Sequence, residues 1–207
     1  MRHMTSQPTA ARGVTGRVRM SPEHRREQLL DLGVRLLATR SYEELSIDLL
    51  AQEAGISRGL LYHYFGNKQD FHEAVIRRAV QDLVEQTAPP PIDDAAERML
   101  ASVRAYVDYV EANHEGYLSL VKGAAGGNET VRQLYEAGRT TLTDRIFLED
   151  AGQNLPDTPA ARLMVHAWSA LVEDLVLSWV RDPAGVSKDD LVLAAASSLP
   201  GLVELLH

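Results

Sequence analysis

Residues 46–71 read SIDLLAQEAGISRGLLYHYFGNKQDF, and the fold of the chain turns on them. A serine hydroxyl accepts one of the free amides at a helix start, so Ser46 caps a short helix with Ile47, Leu50, Ala51 and Ala54 on one stripe. Gly55 ends that helix, because glycine adopts the left-handed conformation at little cost and lets the chain turn sharply. Ser57 caps the next helix, Arg58 to about Phe65. Gly66-Asn67 then breaks the chain before a further helix, where Asn67 caps and Asp70, three residues on, makes a weak capping box.

The spacing within this stretch suits two short helices crossing at a steep angle. A small residue at Ala51 permits close approach, Gly55 makes the turn, and Ile56 plugs the core between them. On the second of the two, Leu61 and Phe65 lie one turn apart and point inward. Gly59, Tyr62 and His63 are left on the opposite face, flanked by Leu60 and Tyr64. That face is small, polar-aromatic and short, which suits insertion into a DNA major groove about 12 Å wide. Arg58 is placed to reach a guanine edge or a phosphate. Lys68 and the amide ends at Ser46, Ser57 and Asn67 are placed to meet phosphates, since helix N-termini attract anions. Taken alone, Tyr64 reads equally as packing and His63 as an exposed surface residue.

Moving outward, Ser21-Pro22 starts a helix whose face of Leu29, Leu32, Gly33, Leu36 and Leu37 is buried as far as about Thr39. The helix after Asn67 has Phe71, Ala74, Val75 and Leu83 inside. It cannot pass Ala88, because Pro89-Pro90-Pro91 removes amide donors and forbids helical geometry before each ring. We read this run as the boundary between a head, residues 21–88, and a body, residues 92–207. The body predicts helices over roughly 93–113, 115–125, 128–150, 159–181 and 188–206, broken at Gly126-Gly127, at 152–156 and at 182–185. Pro200 should kink the last helix or end it early. The expected fold is all-α: a three-helix helix-turn-helix head and a C-terminal helical bundle.

The net charge of −8 over 207 residues hides two unlike ends. Residues 1–40 carry eight arginines against three acidic side chains, while from Ala88 onward nine Lys or Arg face eighteen Asp or Glu. An acidic body with a basic front suits a protein of which one end alone approaches polyphosphate. Residues 1–20 read as a flexible basic tail. It has no apolar stretch ending in a small-residue cleavage site, and no run of eighteen apolar residues occurs, so we expect neither signal peptide nor membrane span and place the protein in the cytoplasm. With no cysteine there is no disulfide, thiolate metal site or thiol nucleophile.

The stretch Ser46–Phe71 resembles the DNA-binding head of TetR-family regulators, and the run Gly59–Phe65 followed by Asn67-Lys68 is its most specific part. The resemblance implies that Arg58, Leu60, Tyr62 and His63 stand where that family reads bases or sugar-phosphate, and Ser46, Tyr64 and Lys68 where it grips phosphate. Position 60 is more often threonine, serine or alanine there, so Leu60 either touches a thymine methyl or leaves the interface. The resemblance also implies a homodimer, a small-molecule effector in the body, and repression as the commoner mode of control.

The residues add to that picture. The helix over 159–181 is apolar nearly all round, so it must be covered on both sides. A second copy is the simplest cover, with Leu171, Leu175, Trp179, Leu191, Ala195, Leu199 and Leu202 as the candidate interface; a monomer with a central buried helix is the alternative. Tyr106, Tyr109, Tyr117, Phe147, His166, Trp168 and Glu173 either line an apolar ligand pocket with sparse polar anchors or simply pack the core. An apolar ligand, uncharged or cationic, fits the acidic body better than an anion. His166 and Glu173 lack a third metal ligand, and no nucleophile–base pair or phosphate-cradling loop is present. We therefore expect no metal, no cofactor and no catalysis; the competing readings are a small helical enzyme and a helical protein-interaction module.

Overall fold

The computed structural model describes residues 21–150 and 155–205. The expected tail over 1–20 and part of the break over 152–156 lie outside the described residues. Nine helices are present among the described residues: α1 Pro22–Ala38, α2 Ile47–Ala54, α3 Arg58–Phe65, α4 Lys68–Gln86, α5 Ala95–Ala112, α6 His114–Ala125, α7 Glu129–Asp150, α8 Pro159–Arg181 and α9 Lys188–Glu204. The boundaries follow the caps. Ser21, Ser46, Ser57, Asn67, Asp94, Thr158 and Ser187 each accept a backbone amide from the first turn of the helix they precede.

Two of these local readings need correcting. Asp70 returns its carboxylate to the side-chain amide of Asn67, 2.8 Å away, rather than to the backbone as a capping box requires. Pro200 does not end α9, which runs through it to Glu204.

The head closes on a core in which Leu45, Leu50, Leu61, Phe71 and Val75 are wholly buried, with Leu29, Leu30, Leu36, Leu37, Ile47, Ala51 and Phe65 around them. Leu30 takes the buried place expected for Leu32, which is only partly covered. The body core lies between α5, α8 and α9, centred on Val107, Val110, Val165, Val176 and Val192. Ala161, Val165, Trp168, Val172 and Val176 form the inner row of α8. By length and composition α8 is apolar enough to cross a membrane, which a search for an unbroken apolar run overlooks. Here its inner row is buried in the body core, while Leu163, Leu171 and Leu175 face outward.

The proline run follows the end of α4, and helices on its two sides pack against each other. Helix α4 packs on α1 at one end and on α7 and α5 further along. At the α4/α7 crossing a Cβ on Gly138 would lie 2.5 Å from Val80 Cγ1. At the α1/α6 crossing a Cβ on Gly116 would lie 2.3 Å from the Leu37 carbonyl oxygen. The Tyr42 amide donates to Ser119 Oγ at 2.7 Å, and Ile76 joins Leu120, Ala124, Val131 and Leu134 in a small cluster that spans both halves.

Candidate nucleic-acid interface and body cavity

The turn between α2 and α3 is a Schellman motif. Gly55 sits at φ +64°, its amide reaches the Gln52 carbonyl, and the Ile56 amide reaches the Ala51 carbonyl at 3.1 Å. This sharp stop throws α3 across α2, with Leu61 and Phe65 driven into the head core. The remaining face of α3 is then set outward. Arg58, Gly59, Leu60, Tyr62 and His63 are all exposed, and Tyr64 is half-buried with its ring against the core margin. Leu60 and Tyr62 keep 38% and 41% of their surface on this helix of eight residues.

Hydrogen-bond donors and cationic side chains surround that face. Ser46 and Ser57 accept helix amides through Oγ at 3.1 and 3.3 Å, which leaves each hydroxyl proton free to be donated outward. Lys68 opens α4 and is exposed. Arg58 is paired with Asp48 at 2.6 Å, with both side chains more than half exposed. Such a pair is worth little in water, so a phosphate or a base edge can replace Asp48 at small cost.

The described head is not basic as a whole, however: residues 21–88 hold eight Lys or Arg against eleven Asp or Glu. The basic front of the sequence rests on the four arginines of residues 1–20. On α3 and at the start of α4 the positive side chains are Arg58 and Lys68, beside the helix N-termini.

The body holds a cavity of about 960 Å³ walled by α4 to α9. Of the residues expected there, Tyr106, Tyr117, Trp168 and Glu173 line it. Three do not. Tyr109 is buried with its hydroxyl donating to the Ala79 carbonyl at 2.9 Å, Phe147 lies in the core with the Arg162 guanidinium over its ring at 4.8 Å, and His166 is exposed on the outside of α8. Sequence reading missed Tyr135 and Arg139, whose spacing of four placed them on one face of α7.

These side chains form one network. Tyr117 and Tyr135 donate to the two carboxylate oxygens of Glu173 at 2.8 and 2.7 Å. Because Tyr117 has spent its only proton there, Tyr106 must be the donor in the 2.9 Å contact between the Tyr106 and Tyr117 hydroxyls. Burial, reinforced by Glu173, holds Tyr106, Tyr117 and Tyr135 well above the usual phenol range, so all three remain protonated donors.

The predicted contact surface on α8 and α9 is also partly corrected. Leu191, Ala195 and Leu199 are inside the chain's own core, where no second copy can touch them. Leu171 and Leu175 are exposed, Trp179 and Leu202 are half-buried, and Leu163 and Leu193 add exposed apolar surface that sequence reading had not singled out.

The model described as "Bacterial regulatory proteins, tetR family" matches residues 29–75, and that of the "Tetracyclin repressor-like, C-terminal domain" matches residues 95–197. The chain is 34% identical to the HTH-type transcriptional regulator BetI of Brucella canis, over 87% of its own length and 90% of the relative's. It is 26% identical to the HTH-type transcriptional activator FasR of Mycolicibacterium smegmatis, over 84% of the chain and 80% of FasR. The solved structure of a tetR-family transcriptional regulator from Streptomyces coelicolor superimposes with a TM-score of 0.79 at 31% identity, covering 90% of this chain and 83% of that one.

Proposed function

The chain belongs to the tetR family of bacterial regulatory proteins, transcriptional regulators rather than enzymes, and from that premise we propose that it binds operator DNA as a homodimer, represses from there, and is released by a small molecule held in the body cavity. The observation that carries this reading is the exposed face of α3, Arg58 to His63, set outward by the buried pair Leu61 and Phe65. Arg58, Gly59, Leu60, Tyr62 and His63 enter the major groove. Ser46, Ser57, Tyr64 and Lys68 hold the phosphates on either side. The dimer forms through the outer rows of α8 and α9, with Leu171, Leu175, Trp179 and Leu202 joined by Leu163 and Leu193. Two-fold symmetry then sets the two α3 helices about 34–36 Å apart, one turn of duplex.

Release follows from α4. Val80 and Leu83 of this helix and its C-cap Thr87 line the cavity, and Lys68 at its other end stands in the DNA face. A ligand that displaces the inner end of α4 moves the outer end with it, and its differential affinity for the two arrangements sets how far DNA binding shifts. The division follows: residues 21–88 bind DNA, residues 92–207 regulate and dimerise, and residues 1–20 add a basic tail. The matched stretches 29–75 and 95–197 support that division. The protein acts in the cytoplasm, where its operator is. The effector is apolar and uncharged or cationic.

Footprinting and gel-shift titration on the DNA flanking its own gene test the proposal. The expected result is a protected two-fold site whose affinity falls as salt rises. Tyr62→Ala and Lys68→Ala should each weaken binding by about tenfold or more while the mass in solution stays that of the wild type. Wild-type affinity in both variants, or no preference over random duplex, overturns the assignment. A promoter fusion that rises when the protein is supplied overturns repression alone.

A further inference from the structure

The cavity reading can be taken to a ligand class. We infer that the Tyr106–Tyr117–Tyr135–Glu173 network is the seat of an organic ammonium group, and that the effector is a cationic amphiphile whose apolar body fills the rest of the cavity. This rests on the cavity being the effector site.

Glu173 supplies the anchor. Its two oxygens accept the Tyr117 and Tyr135 hydroxyls, and among the described residues no ion pair reaches it. The nearby cation, Arg139, makes no ion pair with Glu173 and reaches it only through the Tyr135 hydroxyl. It donates to Ser169 Oγ at 2.8 Å, to the His166 carbonyl at 3.0 Å and to the Tyr135 hydroxyl at 3.2 Å. Two hydroxyl donors leave the Glu173 carboxylate able to accept a further positive partner from the cavity that it lines. The rings of Tyr106, Tyr117, Tyr135 and Trp168 line the same cavity, and aromatic faces attract an ammonium group within about 6 Å.

An anion finds no comparable seat. The wall carries Arg98, Arg139 and Arg145 against Asp93, Asp94, Glu149, Asp150, Glu173 and Glu204. The two arginines away from Glu173 already hold the chain together. Arg98 donates to the carbonyls of Ile92, Asp93 and Glu149, Arg145 donates to the Val84 carbonyl, and both lean on the Glu149 carboxylate.

Size supplies the second half. At about 960 Å³ the cavity is at the upper end for small-molecule sites, far larger than a methylated ammonium group. Its remaining wall includes Leu83, Met99, Leu100, Val103, Leu142, Ile146, Val172 and Leu199, so the rest of the ligand is apolar.

The test titrates the full-length protein with decyltrimethylammonium, decan-1-ol and decanoate, each below its own aggregation concentration, following tryptophan fluorescence. The cation should bind about tenfold tighter than either of the others. Glu173→Gln, confirmed folded by its helical circular dichroism, should bring the cation to within about threefold of the alcohol. Equal or tighter binding of the alcohol or decanoate, no binding of any probe, or an unchanged preference in E173Q overturns the inference. The ranking in the wild-type protein decides the matter by itself if E173Q does not fold. A protein that binds its operator but fails this ranking loses the cation assignment and keeps the regulatory one. One that ranks the probes as expected but binds no duplex does the reverse.

Discussion

A single buried histidine shows how one residue ties stability to pH. His72 on α4 lies inside the head, its Nε2 bonded to the Leu45 carbonyl and its ring edge-on to Tyr42 at 4.7 Å. Burial, with Lys68 one turn away, pushes its pKa below the ordinary histidine value, and the Leu45 bond only partly opposes this. The neutral ring is therefore the folded form. A depressed histidine contributes stability that is complete above its unfolded pKa of about 6.5 and is lost as pH falls through the lower folded value. Between about pH 7.5 and about pH 5.5 the wild-type protein should lose more thermal stability than His72→Gln, which keeps a donor for Leu45 without a titrating group. Equal losses in thermal melts at the two pH values would remove His72 as the cause. Nothing in the periodicity of α4 marks this residue. It became visible only when the 41–45 turn was seen to lie against it.

Helices meet here through glycines that no propensity scale explains. Gly116 is buried on α6, where its missing Cβ lets α1 bring the Leu37 carbonyl to within contact distance. Gly138 does the same for Val80 at the α4/α7 crossing. Gly116→Ala should destabilise the protein by about 1–3 kcal/mol in urea unfolding, because the clash is with rigid backbone and the overpacking must be relieved by moving a helix. Gly138→Ala should cost less, since a Val80 methyl has more room to give than a carbonyl. An alanine at 116 as stable as the wild type would mean that α1 and α6 are free to separate. By contrast, the starts and stops of the elements were legible throughout. Ser46, Gly55, Ser57 and Asn67 act on amides within one turn of themselves, so a local reading of α2 and α3 already carries most of the exposed face of α3.

On the scale of the whole molecule, the surface left by α8 and α9 is the part still unaccounted for. Leu163, Leu171, Leu175 and Leu193 are exposed along two helices whose opposite rows form the body core. If these rows close a two-fold dimer, Leu171→Glu combined with Leu193→Glu should halve the mass seen by sedimentation equilibrium and weaken operator binding by more than tenfold, because each half-site is then held alone. A double variant that sediments like the wild-type dimer would place the interface elsewhere. The same scale explains the mistaken choice of Leu191, Ala195 and Leu199. An apolar helix tells how much surface needs covering, but not which side its own chain covers first.

What the sequence determined alone was local: the nine helices of the described residues, caps such as Ser46, Ser57, Asn67 and Ser187, the turn at Gly55, and the inward pair Leu61 and Phe65 that turns the rest of α3 outward. Each depends on side chains and amides a few residues apart, and those separations are written in the chain. The cavity was decided by tertiary structure. Tyr106, Tyr117, Tyr135 and Glu173 come from α5, α6, α7 and α8, and the bond from Tyr117 to Glu173 closes a separation of 56 residues. Whether an aromatic side chain there packs, as Phe147 does, or lines a hollow, as Tyr135 does, is set by the angle and spacing at which whole helices cross, and those are fixed only when all the helices are packed together.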